Sequence, residues 1–235
     1  MYDLILKNCQ IVNEDSIYHS DIAIKNERIA LINSIIDAEA KKIIDVEGKH
    51  VIPGMIDDQV HFREPGLTHK GSIATESRAA LAGGITSFFE MPNVNPTTTT
   101  NENLRNKFDL ASQKSVGNYS FYLGGSNTNI EEIKRVDTNL AAGLKVFMGA
   151  STGDMLVDDP DTLEDIFKFC PVNIVTHCED TPTILKNEKV FAEKYGDDLS
   201  AIHHPYIRDD ISCYLSSSMA IDLAKRNGSN LHVLH

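Results

Sequence analysis

Three histidines stand at or near the ends of apolar, strand-like runs, and one lysine sits inside another. His177 closes Val172-Asn173-Ile174-Val175-Thr176, and His235 closes Leu231-His232-Val233-Leu234. His61 stands in the run that starts Ile56-Asp57-Asp58-Gln59-Val60. Taken singly, each is as well explained as a hydrogen-bonded core or surface histidine. Together, at one rim of a sheet, they form a candidate metal site, because imidazole is a common ligand and a site needs donors from several strands at one level. Lys145 interrupts the apolar run Leu144 to Met148. Such a lysine snorkels to water, shifts its pKa, or is modified. As an ammonium it has three donors and no lone pair, so it cannot hold a cation. Reacted with CO₂ it becomes a carbamate, whose two oxygens can bridge two metals about 3.5–4 Å apart.

Side chains alternate along a strand, so Asp57, Gln59, His61 and Arg63 are expected on one face. Four polar residues on one strand face need partners if buried. The Ile52-Pro53-Gly54-Met55-Ile56 stretch before them reads as buried sheet. Asn93, in Met91-Pro92-Asn93, either orients a ligand or forms a turn. Other candidates are weaker. His203-His204-Pro205 reads as a loop, and Gly149 to Asp154 lacks the Gly-Lys-Ser/Thr ending of a phosphate loop. Ser216-Ser217-Ser218 reads as packing within a helix.

The elements that must position these residues follow from the hydrophobic pattern. Residues 1–50 read as an all-β flank, with runs at 2–7, 9–12, 22–24, 29–32 and 43–46 separated by turn-forming clusters. From residue 51 to 235, strand candidates at 51–61, 85–91, 119–123, 144–148, 172–177 and 231–235 alternate with helix candidates at 72–82, 101–112, 129–138, 161–169, 181–195 and 210–226. This alternation predicts βαβ units and a parallel sheet, whose C-terminal strand ends are where sites assemble. The Thr97 to Thr100 run is expected to lead into a helix cap. A (β/α)₈ barrel takes about 250 residues, more than remain after residue 50. The fold expected is therefore a TIM-like (β/α)₈ hydrolase barrel cut after strand six, with a small N-terminal β flank.

Composition narrows the function. The chain has 22 Lys and Arg against 34 Asp and Glu, a net charge of −12. That balance argues against a general nucleic-acid binder. No run of about 18 apolar residues suggests a membrane span, and Met1-Tyr2-Asp3-Leu4 does not open a secretory signal. Cys9, Cys170, Cys178 and Cys213 are scattered, as expected of buried or half-buried thiols in a cytoplasmic protein.

The segment Ile56 to Gly66, with His-Phe-Arg-Glu-Pro-Gly, resembles the signature of dihydroorotases in the amidohydrolase superfamily. The resemblance continues through residues 82–86, Met91-Pro92-Asn93, Lys145 to Met148, Thr176 to Asp180 and Leu231 to His235, in the family's order. It implies reversible, zinc-dependent hydrolysis of the cyclic amide of dihydroorotate to N-carbamoyl-aspartate, a step of pyrimidine synthesis. It implies one or two Zn²⁺ ions at the barrel rim. His61 would ligate one ion, Lys145 as a carbamate would bridge both, and His177 and His235 would complete the second. Arg63 and Asn93 would hold the substrate carboxylate, Arg63 through its planar fork of donors.

The sequence departs from the family pattern twice. The His-x-His of the first strand is Gln59-x-His61, and an amide oxygen is a weaker ligand than imidazole, leaving Gln59 as a ligand or an outer donor. The family's last ligand and general acid/base is an Asp at the end of strand eight, expected beyond residue 235, so the isolated chain is expected to be inactive. Allantoinase or dihydropyrimidinase-like chemistry and a non-catalytic homologue scaffolding aspartate transcarbamoylase are the competing readings. A homodimer is a further expectation.

Overall fold

The computed structural model describes residues 1–149 and 155–235. It divides into two compact units, Met1–Met55 and Ile56–His235. The division falls beyond residue 50 because His50 and Val51 pair with the first strand.

The first unit is a five-stranded sheet of β1 (Tyr2–Asn13), β2 (Ser16–Lys25), β3 (Arg28–Asn33), β4 (Ala40–Asp45) and β5 (His50–Val51). Its order is β3-β2-β1-β4, with β5 also pairing with β1. The runs expected at 2–7 and 9–12 are one strand. Its register against β2 slips between Leu6 and Cys9, where Asn8 takes a left-handed φ of 57°. A bulge breaks the period-two pattern that sequence reading relies on. Buried Asp21 supports this irregularity. It accepts the N–H groups of Asn8 at 3.0 Å and Ile36 at 2.9 Å, and pairs with Lys7 at 2.9 Å. Burial pushes its pKa up, but these donors outweigh it and hold the carboxyl below its ordinary value.

The second unit alternates strands and helices. The strands are β6 (Met55–Val60), β7 (Ile85–Glu90), β8 (Asn118–Gly124), β9 (Ala141–Phe147), β10 (Ile174–His177) and β11 (Leu231–Val233). The helices are α1 (Ile73–Ala82), α2 (Asn101–Ser112), α3 (Ile130–Lys134), α4 (Pro160–Phe169), α5 (Thr181–Tyr195), α6 (His204–Ile207) and α7 (Asp210–Asn227). The sheet runs β11-β10-β9-β8-β7-β6, in sequence order, as a half-barrel of parallel strands. Among the described residues no helix is long and apolar enough to cross a membrane.

Five helices begin alike. The side chains of Ser72, Thr100, Asp159, Asp180 and Asp209 each accept the backbone N–H three residues on, satisfying a donor that the helix cannot. The Thr97 to Thr100 run thus ends in the cap of α2, as its composition suggests. The Asp180 cap starts α5 three residues after His177, which limits how far that strand end can wander.

Alternation along the strands separates two faces. Phe121, Leu123, Leu144, Val146 and Ile174 point toward the helices and pack with Leu104, Leu163, Ile166, Phe167 and Leu223. Tyr122 and Val175 take the other face, with Met91. Lys145, between Leu144 and Val146, shares that inner face and pairs in register with Val175.

Several boundaries differ from the sequence pattern. The run expected at 51–61 is two strands, because Pro53-Gly54 interrupts pairing. Ile52, Met55 and Ile56 are 61%, 58% and 63% exposed rather than buried. Among the described residues β6 is the edge of its sheet, with a neighbour on one side only. The helix expected at 129–138 stops at Lys134, and the N–H groups of Leu140 and Ala141 bond to the Asp137 carbonyl in a turn. His203-His204-Pro205 lies in a short 3₁₀ turn and α6 rather than a loop. Cys213 is exposed, unlike Cys9 and Cys178. The Gly149 to Asp154 loop lies outside the described residues except for Gly149.

Candidate active site

The ends of β10 and β11 bring two imidazoles together. His177 Nδ1 lies 2.7 Å from His235 Nε2, with the rings edge to face. Each ring has an oxygen behind it. Glu179 Oε2 lies 2.6 Å from His177 Nε2, and Gln59 Oε1 lies 3.2 Å from His235 Nδ1. Arg208, just after α6, donates to the same Glu179 oxygen at 2.5 Å. Burial raises the Glu179 carboxyl, but His177 and Arg208 outweigh it and hold it below its ordinary value. Gly149 makes room for this arrangement. A Cβ there would stand 2.1 Å from the Glu179 carbonyl oxygen, so only glycine lets the two backbones approach.

Lys145 enters from the neighbouring strand. It is opposite Val175 in register, so His177 stands one pleat further along on the same face. The lysine is 1% exposed, which removes the snorkelling alternative. Its Nζ lies 4.7 Å from the centre of the Phe147 ring, and among the described residues no carboxylate pairs with it. Burial without a counter-charge pulls its pKa down to about 8. Its neutral fraction at neutral pH is therefore far above that of an ordinary lysine, and the neutral form is the one that can take up CO₂.

His61 is pulled down to about 4, first by burial and then by the charge of Arg63, with Lys145 and His235 adding to it. Those mutual effects mark the residues as one electrostatic neighbourhood. His61 is therefore neutral at neutral pH, as a ligand must be. Its Nδ1 and the Oδ1 of Asn93 are both buried, and among the described residues neither atom has a hydrogen-bond partner.

Arg63 does not continue the alternation of β6, which ends at Val60. Its φ of 69° is left-handed, and its N–H donates to Glu90 Oε1 at 3.0 Å. Glu90 is wholly buried and pairs at 3.0 Å with Lys107, itself 1% exposed. Lys107 Nζ also donates at 2.9 Å to the carbonyl of Met91, two residues before Asn93. One buried ion pair thereby ties together the segments that carry Arg63 and Asn93.

The donor set suits a metal ion. Two imidazole nitrogens on one tetrahedral zinc stand about 3.3 Å apart, so His177 Nδ1 and His235 Nε2, at 2.7 Å, would part by about 0.6 Å to share one ion. Neutral His61 and a carbamate on Lys145 would supply further nitrogen and oxygen donors. Among the described residues the unmodified His, Cys, Asp and Glu side chains alone do not form a cluster of three able to hold an ion.

The model of the dihydro-orotase-like family matches residues 48–235. The chain belongs to that family. It superposes on the solved structure titled L-hydantoinase (dihydropyrimidinase) from Arthrobacter aurescens with a TM-score of 0.94 and 32% identity, covering 100% of this chain and 53% of that one. An allantoinase of Desulfitobacterium hafniense is 36% identical over 183 residues, 76% of this chain and 41% of its own. A dihydroorotase of Methanothermobacter thermautotrophicus is 31% identical over 216 residues, 90% of this chain and 47% of its own. The chain thus spans about half the length of these relatives.

The structure therefore puts His235 in direct contact with both His177 and Gln59, while Lys145 acts on the charges of His61 and His235 and Arg63 on that of His61. Sequence reading left Glu179, Arg208, Glu90 and Lys107 without roles. Glu179 carried a signal, since it follows a strand-end histidine by two residues. Arg208 carried none, because it arrives from a helix 29 residues away in sequence.

Proposed function

We propose that the whole protein is a zinc-dependent cyclic amidohydrolase that opens the ring amide of dihydroorotate to N-carbamoyl-aspartate. The observation that carries this reading is the convergence of His177 and His235 beside a buried Lys145 that has no counter-charge among the described residues. When bound, zinc lowers the pKa of water toward about 7 and polarises the ring carbonyl. His177, His235, His61 and a carbamylated Lys145 would hold it. The Lys145 ammonium first loses one proton to give neutral Nζ; its bond to the carbon of CO₂ then releases a second, so that a cation becomes an anion with two oxygen donors. Gln59, through its contact with His235, serves better as an outer partner than as a ligand.

Arg63 supports a substrate that carries a carboxylate, because its guanidinium offers a planar fork of donors. Asn93 adds an amide from the adjoining segment. The likeness to an L-hydantoinase and an allantoinase supports a second reading, in which a neutral ring is opened by the same groups. Turnover of dihydroorotate, hydantoin and allantoin by the full-length protein separates them. Dihydroorotate is expected to give the largest kcat/KM, and a preference for either neutral ring refutes the first reading.

A further inference from the structure

Both imidazoles of the β10–β11 pair have their outer nitrogen facing an oxygen acceptor. Glu179 Oε2, held by Arg208, faces His177 Nε2, and Gln59 Oε1 faces His235 Nδ1. A carboxylate and an amide oxygen can only accept, so each outer nitrogen must carry its hydrogen. In two neutral rings the inner nitrogens, His177 Nδ1 and His235 Nε2, are then both lone pairs, 2.7 Å apart. Two lone pairs at that distance repel unless they share a cation, which is a proton in the metal-free pair and a metal ion in the loaded one.

We infer that Glu179, with Arg208 behind it, and Gln59 are positioning residues that set the tautomers of His177 and His235, so that both lone pairs point at one metal ion. The inference rests on the metal reading above, and it gives Gln59 a role where the family pattern has a ligand. Glu179 does the larger share. Its bond to His177 is the shorter, its oxygen is charged, and Arg208 fixes its direction.

The test uses the full-length protein stripped of metal, then titrated with Zn²⁺ against a competing chelator. Glu179→Ala is expected to weaken Zn²⁺ binding about 10–100-fold, and Gln59→Ala by a smaller factor. Glu179→Gln, which keeps an oxygen acceptor for His177, is expected to recover part of the loss. Nitrogen-15 imidazole spectra of the metal-free protein supply a readout that loosened packing alone does not move. His177 is expected to be the Nε2–H tautomer in the natural protein and a mixture of tautomers in Glu179→Ala. Zn²⁺ affinity within twofold of the natural protein in Glu179→Ala overturns the inference, as does an unchanged His177 tautomer. If the natural protein itself takes up no Zn²⁺, the metal reading fails and the inference fails with it.

Discussion

Lys107→Met is a demanding perturbation because the pair it breaks is closed to water. Glu90 and Lys107 are 0% and 1% exposed, and their charged atoms stand 3.0 Å apart. Removing one partner of a buried pair costs about 3–5 kcal/mol, since the other charge is left uncompensated. About 1 kcal/mol of this is the Met91 carbonyl losing its donor at 2.9 Å. Burial already pushes Glu90 above its ordinary value of 4.5, with Lys107 opposing it. Without Lys107 the native carboxyl binds its proton more tightly than the unfolded chain does. Stability of the variant is then best preserved below 4.5 and is lost as pH rises through the higher native value. Urea unfolding of the full-length variant should show the full penalty near neutral pH and a smaller one in acid. The double variant Glu90→Gln with Lys107→Met should recover most of the stability, because the amide still accepts the Arg63 N–H and no charge is buried. A single variant that costs less than about 1 kcal/mol, or a double variant as unstable as the single, would refute the reasoning.

Arg63→Met should raise KM for dihydroorotate about 10–100-fold, the loss of one or two charged hydrogen bonds, and change KM for hydantoin far less; steady-state kinetics on both substrates checks this. Lys145→Arg should reduce ring opening to below about 1% of the natural protein, since guanidinium cannot become a carbamate. The same change should remove the carbamate carbon signal seen after incubation with ¹³C-bicarbonate. Asp21→Asn should destabilise the protein by about 1.5–3 kcal/mol, measured by urea unfolding, because the carboxylate accepts two N–H groups and pairs with Lys7. The Asp21 carboxyl is held below its ordinary value of 3.8. Its stabilisation in the natural protein is therefore present above 3.8 and lost as pH falls through the lower native value.

The strand–helix order of the second unit was legible because each element obeys its own period. α2 and α5 begin and end where the pattern and caps place them, at Asn101–Ser112 and Thr181–Tyr195. Legibility failed where tertiary geometry overrides the period. Asn8 carries a bulge that splits one strand into two apparent runs. Arg63 leaves the strand for a left-handed conformation, so its face could not be read by alternation. Exposure of Ile56 goes with β6 lying, among the described residues, at the edge of its sheet, which the run itself does not reveal.

The site was legible in its strand-borne members. His177, His235 and Lys145 are odd residues in apolar strands, and oddness of that kind is visible in one dimension. Their partners are not. Arg208 is an ordinary arginine beside a short helix, and Lys107 is one polar residue among many in α2. Each acquires its role only when folding brings it against Glu179 or Glu90. Gln59 shows the same limit in another form. Its type says that it is a poor ligand, but its contact with His235 is what assigns it work as an acceptor.

Ring opening by the full-length protein, followed before and after removal of metal by a chelator, tests the central claim most directly. The account predicts turnover of a cyclic amide by the zinc-loaded protein, loss of that turnover on chelation, and its return when Zn²⁺ is restored. Turnover untouched by chelation, or no ring opening of dihydroorotate, hydantoin or allantoin by the loaded protein, would contradict it.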